Sequence, residues 1–453
     1  MKRIFSTLTL ILVNILLAQA QAPVVQVAGN ITGTVNWTNT NIYLLKGKVY
    51  VKAGATLNIQ AGTIIKGDIN TPGSALIVTR GAKIYAIGTP TQPIVFTSSA
   101  APGSRAMADW GGIAIAGNAT CNVPGGIGTF EGGNLSNPDG TVSDGQYGGL
   151  NDLDNSGELS YVRIEYAGYP FAPNNELNSL TLGAIGSGTK ISHIQCSYGF
   201  DDSFEWFGGT VNCDHLISYR GNDDDFDTDF GYRGQVQFGI ILRDPNVADA
   251  VSGANGFESD NDGNGSGNMP YTAATFSNIT ACGPLATATT TIDPNHKRGA
   301  HIRRNSRLSI YNSIFMGYPV GLKIDGDSCH QNADNNLLTY KNNILSASTQ
   351  LLDSTSGAWN MTPWFNTGNN TVLANNSDVN LTNPFSFTNP SFLPLSSSPA
   401  LSGADFTDTK LTGMTTTTYR GAFGTTDWTA GWTNFQPDTM PYTQGYYAVE
   451  YKM

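Results

Sequence analysis

Short segments in which apolar and polar residues alternate recur along most of this chain, and each ends at glycine or a polar turn. One series runs LSYVRIEYAG (159–168), ISHIQCSYG (191–199), CDHLISYRG (213–221), FSNITACG (276–283), YNSIFMG (311–317) and YKNNILS (340–346). Alternation with period two over such lengths predicts half-buried strands. A parallel series contains GFDDSFEWFGG (199–209) and NDDDFDTDFGY (222–232), where Phe204 matches Phe226 at a distance of 22 residues. Leu182 lies 22 residues before Phe204, Phe257 continues the ladder after a longer insertion, and Ile302 and Ile324 extend it, again 22 apart. Two short strands per repeat, with no helical stretch between them, exclude βαβ units. A chain that coils once per repeat and stacks each strand on its predecessor, ~4.8 Å below, satisfies the pattern. The expected fold is all-β: a right-handed single-stranded parallel β-helix with coils of about 22 residues and long loop insertions.

The pattern also divides the chain. Residues 1–22 carry Lys2 and Arg3, an apolar run from Leu8 to Leu17, and small residues at Ala18 and Ala20, which is the make-up of a secretory signal peptide cut after Ala20 or Ala22. No cysteine follows that run, which argues against lipid attachment. Residues 23–110 are expected to form the N-terminal cap and first coils, 111–350 the central coils, and 351–453 the last coils and a C-terminal cap. The aromatic tail DWTAGWTNF (427–435) is expected to cover the open end of the solenoid, since exposed strand edges invite pairing with other chains. No later apolar stretch is long enough to span a membrane. The expected location is therefore outside the cytoplasm: extracellular, cell-surface or periplasmic.

Charge and cysteines narrow the partners. Cleavage of the leader removes two of the 24 basic residues and none of the 35 acidic ones, moving the formal charge from −11 to −13. Such a chain repels nucleic acid and anionic lipid and favours cations or neutral partners. Its 52 glycines suit a turn-rich extracytoplasmic β protein. The five cysteines are too few for a disulfide scaffold and show no zinc spacing. Cys282 and Cys329, in loop-like sequence, are the expected pair if one forms, and Cys196 and Cys213 read as small buried hydrophobes.

YLLKGKVYVKAGATLNIQAGTIIKG, WGGIAIAG, DDSFEWFGGTVN, DDDFDTDFGYRGQVQFG and the terminal GAFG give the chain its resemblance to the right-handed parallel β-helix superfamily of pectate lyases and polygalacturonases. It resembles most closely a group of exported Bacteroidota-type β-helix proteins with no settled activity. Many members of that group carry a C-terminal sorting domain. This sequence stops at Met453 without one, which argues against delivery by that secretion route.

The chemistry concentrates between Asp201 and Asp262, which hold 14 of the 35 acidic residues and only Arg220, Arg233 and Arg243 as bases. If the apolar ladder points inward, its successors point outward. One outer row then reads Glu205, Asp227, Glu258, Arg303, Asp325, and the next Phe207, Asp229, Asp260, Asn305, Asp327. Carboxylates one rung apart repel by roughly 3 kcal/mol at an effective dielectric near 20. A Ca²⁺ ion would relieve this, with Glu205, Asp227, Asp229, Glu258 and Asp260 as the metal ligands. Acids held protonated would do so too. The competing reading is a solvated turn, which suits Asp223, Asp224 and Asp262. DNDGNGSG (260–267) lacks the closing glutamate of an EF-hand. His193 and His215 share a ladder position with Tyr161 and Asn278, which reads as structural.

Two functional readings follow. The first is a glycan- or partner-binding surface module, with Phe207, Glu205, Arg303 and Asp325 as ligand-binding residues on a calcium-bearing acidic face. Trp206 shares the parity of Phe204 and is expected in the core. The alternative is a polysaccharide lyase or glycoside hydrolase, for which Asp201, Asp202, Asp223, Asp224 and Arg303 are the catalytic candidates. Asp201-Asp202 followed a coil later by Asp223-Asp224 is similar to the paired aspartates of polygalacturonases, and two carboxylates are what glycoside hydrolysis needs. The GHG-type histidine and RIK-type arginine motifs of those enzymes are absent. No nucleotide loop, nucleophile elbow or zinc signature supports another enzyme class.

Overall fold

The computed structural model describes residues 22–131, 144–172, 175–355 and 359–443; the leader expected at 1–22 lies almost wholly outside them. Twenty-six strands form one continuous sheet in which each strand pairs in parallel with its counterpart in the neighbouring coil. The chain is a parallel β-helix, and its coils present three faces in turn. The first contains Thr34–Trp37, Thr56–Ile59 and Lys83–Ile87. The second contains Ile64–Gly67 and Ile94–Ser98. The third contains Ala75–Val78, Gly112–Ala116, Leu180–Ile185, Phe204–Gly209, Phe226–Asp229, Phe257–Ser259, Arg298–Ile302, Val320–Asp325 and Gln350–Thr355.

In the middle coils one long strand serves both of the first two faces. Lys190–Ser197 and Cys213–Tyr219 bend at His193 and His215, whose φ values of 56° and 54° are left-handed. Tyr161, Phe238, Asn278 and Asn312 hold the same position in other coils, with φ from 51° to 64°. The position that accepts tyrosine, histidine and asparagine is thus a stacked bend, as its sequence implies.

Inward side chains of all three faces make a single core along the axis, with Trp206, Phe204, Phe226 and Phe257 fully buried. Trp206 stacks on Tyr232 at 5.4 Å between ring centres. The ladder register differs from the sequence reading at two points. Leu180, not Leu182, pairs with Phe204. Ser259, not Phe257, pairs with Ile302. In both places two apolar residues alternate at inward positions, so period-two patterning cannot distinguish registers two residues apart.

The second face is apolar on its outside as well. Ile217, Tyr219, Ile240, Leu242, Ile314 and Met316 form a second buried cluster. What covers it is the C-terminal segment, which runs back along the flank. Gln237 donates to Thr415 O at 2.7 Å, Asn278 to Tyr419 O at 3.0 Å, and Gln195 to Asn434 O at 2.7 Å. Arg105 then donates to Pro437 O at 2.6 Å, and Tyr442 to Glu165 at 2.7 Å. Trp428 and Trp432 pack in that second cluster, so the aromatic tail is a lateral strap and not the end cover that the sequence led us to expect. Strands buried on both sides read as near-continuous apolar runs, and HLISY and FGIIL carry that signal.

All five cysteines are buried free thiols. Cys282 lies under the strap and Cys329 in the axial core, so the expected pair does not form. Reductant is accordingly expected to leave the melting temperature unchanged, and thiol titration in denaturant without reductant should count five. Among the described residues no helix is long and apolar enough to cross a membrane.

Candidate functional site

The acid cluster lies on the outside of the third face and on the turns that lead into it. Phe204, Phe226 and Phe257 point inward and stack rung on rung, which turns Glu205, Asp227 and Glu258 outward in register. Beyond Glu258 the register correction changes the row. His301 follows Glu258 and Lys323 follows His301, while the continuing register sets Arg303 beside Asp260. Asp325 pairs next with Thr355.

This arrangement splits the cluster into two halves of different chemistry. In one half the acids are neutralised. Arg303 bonds Glu258 directly and donates from Nε to Asp260 at 2.8 Å, and Arg304 donates to Asp260 at 2.7 Å. His301 Nε2 contacts Asp325 at 3.0 Å, and Lys323 Nζ lies 3.3 Å from the same carboxylate. Burial works against the charge on Glu258, but His301, whose Nδ1 lies 3.6 Å from it, and the arginines hold its carboxyl below the ordinary value. Burial pushes Asp260 up despite Arg303. Beside these residues lies a cavity of about 440 Å³ lined by His301, Arg303, Arg304, Asn305 and Asp325.

In the other half the acids face one another. Carboxylate oxygens of Asp202, Glu205 and Asp227 lie within 4.8 Å of each other, and those of Asp201, Asp202 and Asp223 do the same. Burial, then the Asp227 charge, pushes the Glu205 carboxyl well above the usual carboxylate range. Burial and Glu258 do the same to Asp227, and burial and Asp201 to Asp202. Asp223 is pushed up to about 7, chiefly by burial. Asp227 Oδ1 and Asp223 Oδ1 are buried without a hydrogen-bond partner, while Asn178 donates to Glu205. An oxygen-only donor set with orphaned, converging carboxylates fits a hard divalent cation.

Other contacts of this cluster hold the turns in place. Asp202 Oδ1 accepts the Asp224 N–H at 2.8 Å, and Asp224 Oδ1 accepts the Asn255 N–H, so these side chains brace successive turns. Asp225 is fully buried against Arg243. Asp229 accepts the Phe230 N–H at 2.6 Å and is in neither triad, though its charge acts on both Glu205 and Asp227.

Of the residues singled out from sequence, the fold therefore brings Glu205 and Asp227 together, adds Asp202 from the catalytic candidates, and commits Glu258 and Asp260 to Arg303. Phe207 points outward, as its parity requires, but it is only 3% exposed. Phe130 and Tyr147, from the insertion after Gly112–Ala116, cover it at 6.1 and 5.7 Å. It is a packing residue and not a binding platform. Phe207→Leu is expected to cost about 1 kcal/mol of stability, read by denaturant unfolding, and to leave any glycan binding unchanged. Asn178, His301 and Lys323 were not legible as site residues. His301 would have been, had the register after Glu258 been known.

A family model for the pectate-lyase-like β-helix domain matches residues 29–433. The chain belongs to that family. The right-handed parallel β-helix expected from the sequence is this family's fold. A comparison with curated proteins finds no match. Among solved structures, the Dettilon tailspike protein (gp208) is similar with 9% identity and a TM-score of 0.25. That match covers 71% of this chain and 62% of the tailspike, so the pectate-lyase-like chain spans less than two thirds of it.

Proposed function

We propose that this chain is an exported, extracytoplasmic polysaccharide-binding protein whose third face takes a calcium ion. The observation that carries the reading is the Asp202–Glu205–Asp227 triad. Glu205 and Asp227 sit on the ladder and Asp202 on the turn before it, all three repelling one another, and Arg303, whose charge reaches Asp227, is spent on Glu258 and Asp260. A bound Ca²⁺ would be held by Asp202, Glu205 and Asp227 and would supply an electropositive centre for sugar hydroxyl or carboxyl oxygens. Binding is favoured over catalysis because Asp224, one of the catalytic candidates, is engaged by the Asn255 N–H.

The test is a panel of neutral and acidic polysaccharides bound to immobilised protein in calcium and in EDTA. Retention in calcium that is lost both in EDTA and in Glu205→Gln/Asp227→Asn supports the reading. Equal retention in EDTA would remove the ion from it.

One observation favours catalysis instead. Asp223, with a carboxyl pushed up to about 7, lies beside Asp201 and would hold a proton at neutral pH, as a general acid does. Release of shortened or unsaturated sugar products, abolished by Asp223→Asn, would make the protein a polysaccharide hydrolase or lyase.

A further inference from the structure

The bend between the first and second faces carries a second group of metal-ligand side chains, far in sequence from Glu258 and on other strands than the acid triads. Asparagine tolerates the left-handed conformation better than other residues with a side chain. Asn278 and Asn312 hold that position in later coils, where their amides bind the strap. On two consecutive earlier rungs the position is instead His193 and His215. Their rings stack at 4.2 Å between centroids and 11° between planes.

Asp214 joins them from the rung of His215, 22 residues after Ser192, its partner in the ladder. Its Oδ1 is 2.6 Å from His215 Nδ1 and 4.0 Å from His193 Nδ1. Ser192 Oγ donates to the same oxygen at 2.5 Å and lies 2.7 Å from His193 Nδ1. One nitrogen of each ring and a carboxylate oxygen of Asp214 thus lie within 4.8 Å of one another. Asp214 is half exposed, and a cavity of about 250 Å³ lined by Asp214, His215, Gln237, Phe238 and Thr415 opens beside it.

We propose that His193, Asp214 and His215 form a binding site for a first-row transition-metal ion of the Zn²⁺ type. Two imidazoles and one carboxylate are a borderline donor set that suits Zn²⁺, Co²⁺, Ni²⁺ or Cu²⁺ and not Ca²⁺. Three protein ligands leave a coordination position open, and the cavity gives it access. The ion takes the place of the hydrogen-bonded protons that now join Ser192, His215 and Asp214. For both lone pairs to meet one ion, the rings turn out of their stack. That motion reaches the strap, because Trp428 stands edge-on to His215 at 4.8 Å and Trp432 to His193 at 5.7 Å.

The test is titration of tag-free protein with Co²⁺, followed by visible d–d absorption and tryptophan fluorescence, with excess calcium present to fill the acid face. His193→Asn/His215→Asn is the informative variant, because asparagine already holds this backbone conformation in later coils. Wild type is expected to bind one equivalent with a visible spectrum and altered fluorescence, and Zn²⁺ is expected to displace it. The double variant should keep its circular dichroism and lose the spectrum, and Asp214→Asn should weaken binding roughly ten-fold or more. If the double variant fails to fold, His215→Asn alone carries the same expectation. No saturable Co²⁺ spectrum in wild type, or the same spectrum in the histidine variants, would overturn the site.

Discussion

In EDTA the protein is expected to lose thermal stability as the pH rises from about 4 to about 8, and calcium is expected to restore it, most strongly at the alkaline end. Asp202, Glu205 and Asp227 have folded pKa values well above their ordinary ones, and Asp223 is pushed up to about 7. A carboxyl raised in this way contributes stability that is fully present below its unfolded pKa and is lost as pH rises through the folded one. Glu258 and Asp325 are shifted the other way, so their contribution is present above their unfolded pKa and is lost as pH falls. Across the window from about 4 to 7 the mutually repelling acids set the slope.

Protons and Ca²⁺ compete for the same oxygens, so the gain from calcium grows with pH. At a concentration one hundred times Kd it reaches about 2.7 kcal/mol. Glu205→Gln/Asp227→Asn removes the repulsion and the ligands together. It is expected to be more stable than wild type in EDTA at alkaline pH and to show no calcium response. Melting curves of both proteins across pH, in EDTA and in calcium, check this. A calcium response that survives the double substitution would place the ion elsewhere.

Arg243→Met is expected to cost about 3–5 kcal/mol, the scale for stripping one partner from a buried ion pair. Arg243 and Asp225 are both 0% exposed and meet at 2.8 Å. Arg243 also donates to the carbonyls of Asp223 and Asn255, and Asp225 accepts from Ser218 at 2.5 Å. Removing the guanidinium leaves a buried carboxylate without its ion-pair partner and the Asp223 carbonyl without its donor, while the Asn255 carbonyl keeps the Asp225 N–H. Asp225→Leu/Arg243→Met should recover part of the loss, because it buries no charge, but not the carbonyl bonds. Denaturant unfolding measures the three variants. The same pair holds the turn that carries Asp223 and Asp224, so Arg243→Met should also weaken the calcium response. An unaltered response with lowered stability would show that the triad is held by its strand alone.

The solenoid was legible because its signal is local. Alternation along each strand and the 22-residue spacing of Phe204 and Phe226 follow from a pleat of period two stacked at a fixed rise. The same parity set Glu205, Asp227 and Glu258 outward and Trp206 inward, and each points that way. Register beyond Glu258 was not legible, since Ala300 and Ile302 satisfy the inward position equally well. That slip of two residues hid His301 and moved Arg303 beside Asp260.

The sequence by itself determined that this chain coils, which residues of each strand face inward, and that acids line one outer face. Only the tertiary structure decided which acids are neutralised and which are left facing one another, that an insertion buries Phe207, and that the tail straps the flank. It also showed that Asp214 and the stacked His193 and His215 bring their ligand atoms to one point. Periodicity reports the direction in which a side chain points, and direction is fixed by the strand to which it belongs. What a side chain meets there is set by segments distant in the chain, whose placement depends on loop closure and on apolar surface elsewhere that must be covered.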